Sequence, residues 1–107
     1  MISQERMEQA LVYLAETDEL YARLKSDYER AKWKAKAAFE AIFLRTTHEN
    51  GVKLTIAERQ AVATNAPEYQ EIMDHSFALL LQCEHVRNKR ATEEIVFEAW
   101  RSLNKNR

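Results

Sequence analysis

The chain has 107 residues, about one domain's worth, with a single Gly, a single Pro and fifteen Ala. Sandwiches and barrels need many turn residues, and doubly wound α/β folds need glycines between strand and helix, so both are excluded and an all-α chain is left. Sixteen Lys+Arg against seventeen Asp+Glu give a net charge of -1, so total charge points to no partner.

The N-terminal run MISQERMEQALVYL places acids and Gln where an export signal needs apolar residues. The longest apolar run, Phe77 to Leu81, is far short of the ~20 residues that span a bilayer. The one cysteine, Cys83, can form no internal disulfide. These features predict a cytoplasmic chain with no membrane partner.

The first predicted helix runs from about residue 3 to 45. Its stripe is Met7, Leu11, Leu14, Thr17, Tyr21, Leu24, Tyr28, Ala31, Ala35, Ala38 and Ile42. Spacings of three and four make a coiled-coil seam, with a stammer where Leu14, Thr17 and Tyr21 follow Leu11. A helix of this length measures roughly 65 Å. Thr46 to Leu54, around Gly51, breaks it.

Thr55-Ile56-Ala57-Glu58 reads as a capping box opening a short helix over about 55–64. Asn65 is the expected N-cap of a last helix over about 66–103, with Pro67 in its first turn. Tyr69, Ile72, Ser76, Leu79, Cys83 and Val86 continue a 3-4 stripe there, and Ile95, Phe97 and Trp100 resume it. Asn104 to Arg107 should fray. No strand is expected.

Two long helices joined by a short one predict one domain over 1–107, an antiparallel coiled-coil-like hairpin. Pairing from the turn sets position i near 112 − i, with Trp33 beside Leu79, Lys25 beside Arg87 and Leu11 beside Arg101. Leu20, Phe39, Phe43, Leu80, Leu81 and Trp100 fall off one narrow seam, so a homo-oligomer is expected to cover them.

Charge is distributed unevenly. Residues 1–22 and 46–86 each sum to -4, residues 23–36 to +4 and residues 87–107 to +3. The predicted pairing brings Arg87, Lys89 and Arg90 against Lys25, Arg23 and Ala22, merging two basic clusters. Trp33 sits among Arg30, Lys32, Lys34 and Lys36. A surface indole flanked by cations suits single-stranded nucleic acid, the cations meeting phosphate and the ring stacking on bases. The candidate belt is therefore Arg23, Lys25, Arg30, Lys32, Trp33, Lys34, Lys36, Arg87, Lys89 and Arg90. The competing expectation packs Trp33 against a neighbouring subunit, with the lysines merely solvated.

Catalytic chemistry is not apparent. His48, His75, His85 and Cys83 have no metal-ligand spacing, so no metal is expected. One Gly permits no phosphate loop. Carboxylate pairs such as Glu93-Glu94 and Asp18-Glu19 read as helix surface with no pocket to perturb them. Cys83 reads as a small core hydrophobe and His85 as a surface position. No enzyme and no cofactor are expected.

The segments Tyr28 to Lys36, Thr55 to Ala61, Pro67-Glu68-Tyr69-Gln70-Glu71 and Glu98-Ala99-Trp100-Arg101-Ser102-Leu103-Asn104 resemble, in order and over nearly the whole chain, a family of small tailed-phage proteins. That family is in turn similar to recombination mediators of the UvsY type. The resemblance implies a helical homo-oligomer in the cytoplasm of a bacterial host. It also implies binding to single-stranded DNA and help in loading a recombinase past a single-strand binding protein. It assigns no role to individual residues.

A structural or adaptor coiled coil predicts the same hairpin with no particular affinity for nucleic acid. A helix-turn-helix regulator would have to fit residues 55–75, where basic residues are few.

Overall fold

The computed structural model describes residues 1–105, and 86% of it is helical. In chain order the elements are α1 (Gln4–Arg45), β1 (His48–Glu49), β2 (Val52–Lys53), α2 (Ile56–Asn65) and α3 (Pro67–Asn104). The all-α hairpin with a short connecting helix is the fold observed. Asn106 and Arg107, part of the segment expected to fray, lie outside the described residues. Asn104 itself closes α3, its side-chain amide donating to the Trp100 carbonyl at 2.7 Å.

The expectation of no strand is corrected by a miniature ladder in which His48 pairs with Lys53 and Glu49 with Val52. Asn50 and Gly51 turn it, both with positive φ, 51° and 79°. Asn-Gly is the dipeptide that tolerates two successive left-handed residues, the geometry that matches the twist of a two-residue hairpin. The break after α1 is therefore ordered by its own local chemistry.

The capping box opens α2 as the sequence predicts. The Thr55 hydroxyl accepts from the Glu58 N–H at 3.1 Å, and the Glu58 carboxylate accepts from the Thr55 N–H at 3.0 Å. The start of α3 differs from expectation. Asn65 ends α2 and donates its side-chain amide to the Ala61 carbonyl, while Ala66 flanks both helices. Ala66 is extended (φ -66°, ψ 130°), as a residue preceding proline prefers. Its carbonyl accepts the first α3 bond, from the Gln70 N–H at 3.0 Å.

The chain divides into two compact units, Ser26–Leu80 and the pair formed by Met1–Lys25 with the α3 segment from Leu81 onward. In the first of these, Ala31, Ala35, Ile42, Leu54, Ala63 and Ser76 are buried, and Phe39 meets Tyr69 edge to face at 5.5 Å. Arg59 of α2 closes the end of α1. Its guanidinium donates to the Phe43 carbonyl at 2.7 Å and lies 4.1 Å from the Phe43 ring. Because α2 covers this last turn, the first turn of α3 sits against Phe39, nearer the N-terminus of α1 than the pairing 112 − i requires.

In the other unit Met7, Ala10, Leu24 and Cys83 are buried. Here too the register is shifted. Arg90 reaches Leu14, Thr17 and Asp18 rather than Ala22, and Lys89 lies over Tyr13 rather than beside Arg23.

The seam of α1 also differs from the predicted one. Ala10 is fully buried whereas Leu11 is 41% exposed. Met7, Ala10, Leu14, Thr17, Tyr21 and Leu24 then alternate three and four without interruption, so there is no stammer. On α3 the seam continues from Cys83 and Val86 through Arg90 and Glu93 to Phe97 and Trp100, and Ile95 lies outside it, exposed. Close packing against an alanine-lined helix outweighs side-chain hydrophobicity in setting which residues face inward.

Candidate nucleic-acid interface

Residues 30–36 lie in the middle of α1, within the unit Ser26–Leu80. Ala31 and Ala35 are buried and fix the inward direction of this segment. By the 3.6-residue repeat Trp33 then stands on the opposite face, and it is 70% exposed. Arg30 and Lys34, four apart, share one flank. They line a groove of about 460 Å³ with Asp27, Glu71, Ile72 and His75. Lys32 and Lys36, also four apart, share the other flank, beside Phe39, Glu40, Tyr69 and Met73.

All four cations are exposed. The Lys32 ammonium is 3.4 Å from the Glu29 carboxylate and 5.1 Å from the Tyr28 ring centre. The two grooves are mixed in charge, since Asp27, Glu71 and Glu40 lie in them. Residues 30–36 themselves carry four cations and no acid.

The remaining candidates lie in the other unit. Arg23 and Lys25 are exposed. Arg87 is exposed and pairs with Glu84 at 3.2 Å, one turn away on its own helix. The Lys89 ammonium stands 4.5 Å over the Tyr13 ring. Arg90 is held inward, its side chain only 14% exposed. It donates to the Leu14 carbonyl and the Thr17 hydroxyl, both at 2.8 Å, and to the Asp18 carboxylate at 3.3 Å. Its guanidinium is also 5.6 Å from the Tyr21 ring. With this register Arg87, Lys89 and Arg90 do not take the places opposite Lys25 and Arg23 that would merge the two basic clusters. Arg90 is part of the helix pairing.

Glu93 corrects a second expectation. It is buried rather than at the surface, and its two carboxylate oxygens accept from Arg6 at 2.6 and 2.9 Å. The Arg6 hydrogen bonds hold the Glu93 carboxyl below its usual range against the opposing effect of burial. The same contact raises the Arg6 guanidinium. Hydrophobicity discards Arg90 and Glu93 from the seam, but their positions seven and ten residues after Cys83 place both on its face.

Among the described residues no group of His, Cys, Asp and Glu is arranged to hold a metal ion, and no helix is long and apolar enough to cross a membrane. Cys83 is buried and His85 exposed. What the outward surface of residues 30–36 can do chemically is attract a polyanion and offer one aromatic face. Comparison of the chain with protein-family models, curated proteins and solved structures returns no match.

Proposed function

We propose that this chain binds single-stranded DNA without catalysing a reaction and serves as an accessory of recombination that helps load a recombinase past a single-strand binding protein. The observation that carries the binding step is the outward surface of α1, where Arg30, Lys32, Lys34 and Lys36 are all exposed around Trp33. Four cations within seven residues of a rigid helix attract phosphates in a chain whose total charge is close to zero. The accessory role rests on the resemblance of Tyr28 to Lys36, Thr55 to Ala61 and the PEYQE and EAWRSLN segments to small phage proteins.

Fluorescence anisotropy with a labelled oligothymidylate at two salt concentrations tests the binding step. Affinity should fall with rising salt, with a log–log slope of about −0.7 for each phosphate neutralised. Arg30→Glu with Lys34→Glu should abolish binding and leave helicity intact, because both side chains are solvated. Unchanged affinity in that variant would favour the structural adaptor instead. That second reading draws on the exposed Leu44, Phe77, Leu81 and Ile95, which suit protein contacts.

A further inference from the structure

Within Ser26–Leu80, α1 carries a second apolar stripe on its outward face: Trp33, Ala37, Ala41 and Leu44, spaced four, four and three. All four are exposed, Trp33 to 70% and Leu44 to 69%. The alanines at its centre allow another helix to approach closely. At its C-terminal end a cavity of about 310 Å³ opens among Phe39, Glu40, Phe43, Leu44 and Gln60. Trp33 lies ten residues before Phe43, about 15 Å along the axis, so it cannot fill that cavity in its own chain. Lys36 and Glu40 stand on the same edge, exposed, and neither has an ion-pair partner among the described residues.

We propose that this face pairs with the same face of a second copy, the two α1 helices antiparallel about a two-fold axis that crosses at the height of residue 38. Position i then lies level with position 76 − i of the other copy. Trp33 faces Phe43 of the second copy and enters its cavity, and Lys36 meets Glu40 of the second copy. Each contact occurs twice, so the assembly closes as a dimer and does not propagate. A second copy is the occupant because knob, cavity and both charges lie along one helix with spacings that complement themselves under the two-fold. The pairing does not rest on the nucleic-acid reading. It leaves Arg30 and Lys34 of both copies together on the opposite edge of the helix pair, and it uses Trp33 between subunits.

Sedimentation equilibrium of the full chain at micromolar concentration, without nucleic acid, tests the pairing. The wild type should be a dimer, and Trp33→Ala a monomer with unchanged circular dichroism, since the indole makes no contact with a core in its own chain. Lys36→Glu should also dissociate the dimer, and the exchange Lys36→Glu with Glu40→Lys should restore it. In Trp100→Phe, which leaves Trp33 as the one indole, emission should move to shorter wavelength as concentration rises. A monomeric wild type, or an oligomer indifferent to Trp33→Ala, overturns the pairing. So does a charge exchange no better than Lys36→Glu alone. An emission change that appears only when oligothymidylate is added also overturns it, and makes Trp33 a stacking platform.

Discussion

Arg6 and Glu93 join α1 to α3 by a bidentate contact across 87 positions of sequence. Such a pair is a poor source of net stability, because desolvation opposes the Coulombic gain, but removing Arg6 would leave the Glu93 charge buried and unmatched. Its pH dependence has a definite sign. The folded-state pKa of Glu93 lies below its ordinary value, chiefly through the Arg6 hydrogen bonds. The stabilisation is therefore complete above the ordinary carboxylate range and is lost as pH falls through the lowered folded value. Glu93→Gln should melt below the wild type at pH 7, and the gap should close as pH is lowered through the carboxylate range. Melting curves recorded across that range check this, and a gap of constant size would show that the charge on Glu93 is not what Arg6 recognises. Arg90 acts by the same logic, its donors divided among a carbonyl, a hydroxyl and a carboxylate of α1.

At the scale of elements, the three helices begin and end within a residue or two of where the sequence places them. Caps and breakers act locally: Thr55 with Glu58 opens α2, Pro67 starts α3, and Asn50-Gly51 turns the chain after α1. Which face of a helix turns inward is a different matter. Leu11 is the larger hydrophobe, yet Ala10 is the buried residue, because a strict heptad aligns it with Leu14 and Thr17 and its small side chain lets α3 come close. Ala10→Leu should therefore destabilise by about 1–3 kcal/mol through overpacking, whereas Leu11→Ala should cost less than about 0.5 kcal/mol. Chemical denaturation of the two variants decides it, and a larger loss from Leu11→Ala would return the seam to the predicted stripe. The candidate belt was legible in the same uneven way. Within its α1 half, Arg23 to Lys36, the stretch Arg30 to Lys36 is a contiguous run on one helix and was visible from spacing alone. The expected merger of Arg87, Lys89 and Arg90 with Arg23 and Lys25 depended on a register, and Arg90 instead pairs with Leu14, Thr17 and Asp18.

For the molecule as a whole, the buried apolar set is thin. Met7, Ala10, Leu24, Ala31, Ala35, Ile42, Leu54, Ala63 and Cys83 make up the core among the described residues. Four of these nine are alanines, which bury little area each, and hydrophobic stabilisation scales with area. Meanwhile Trp33, Leu44, Phe77, Leu81 and Ile95 are each more than half exposed. A chain with this balance would gain stability if copies associate, and its melting temperature should then depend on concentration. Differential scanning calorimetry from about 5 to 500 μM should show the transition rising by several degrees, and a transition that does not move would identify a self-sufficient monomer. Trp33→Ala should flatten that dependence if the α1 face is where copies meet.

By itself, the sequence determined most of what rests on near neighbours, missing only the Asn50-Gly51 hairpin and the place of Ala66 before α3. Scarcity of Gly and Pro required long helices, the Thr55 capping box and Pro67 located two starts, and 3-4 spacing marked most of both seams. The exposed cations around Trp33 follow from the same periodicity, since a helix puts residues opposite buried Ala31 and Ala35 into solvent. Tertiary structure decided what depends on how two helices meet. It selected Ala10 over Leu11, admitted Arg90 and Glu93 to the seam, and set the register that holds Arg90 against Leu14 and Thr17. The reason is physical: hydrophobicity ranks residues one at a time, while packing and hydrogen bonding rank pairs. A polar side chain with a full set of partners is as acceptable inside as an apolar one.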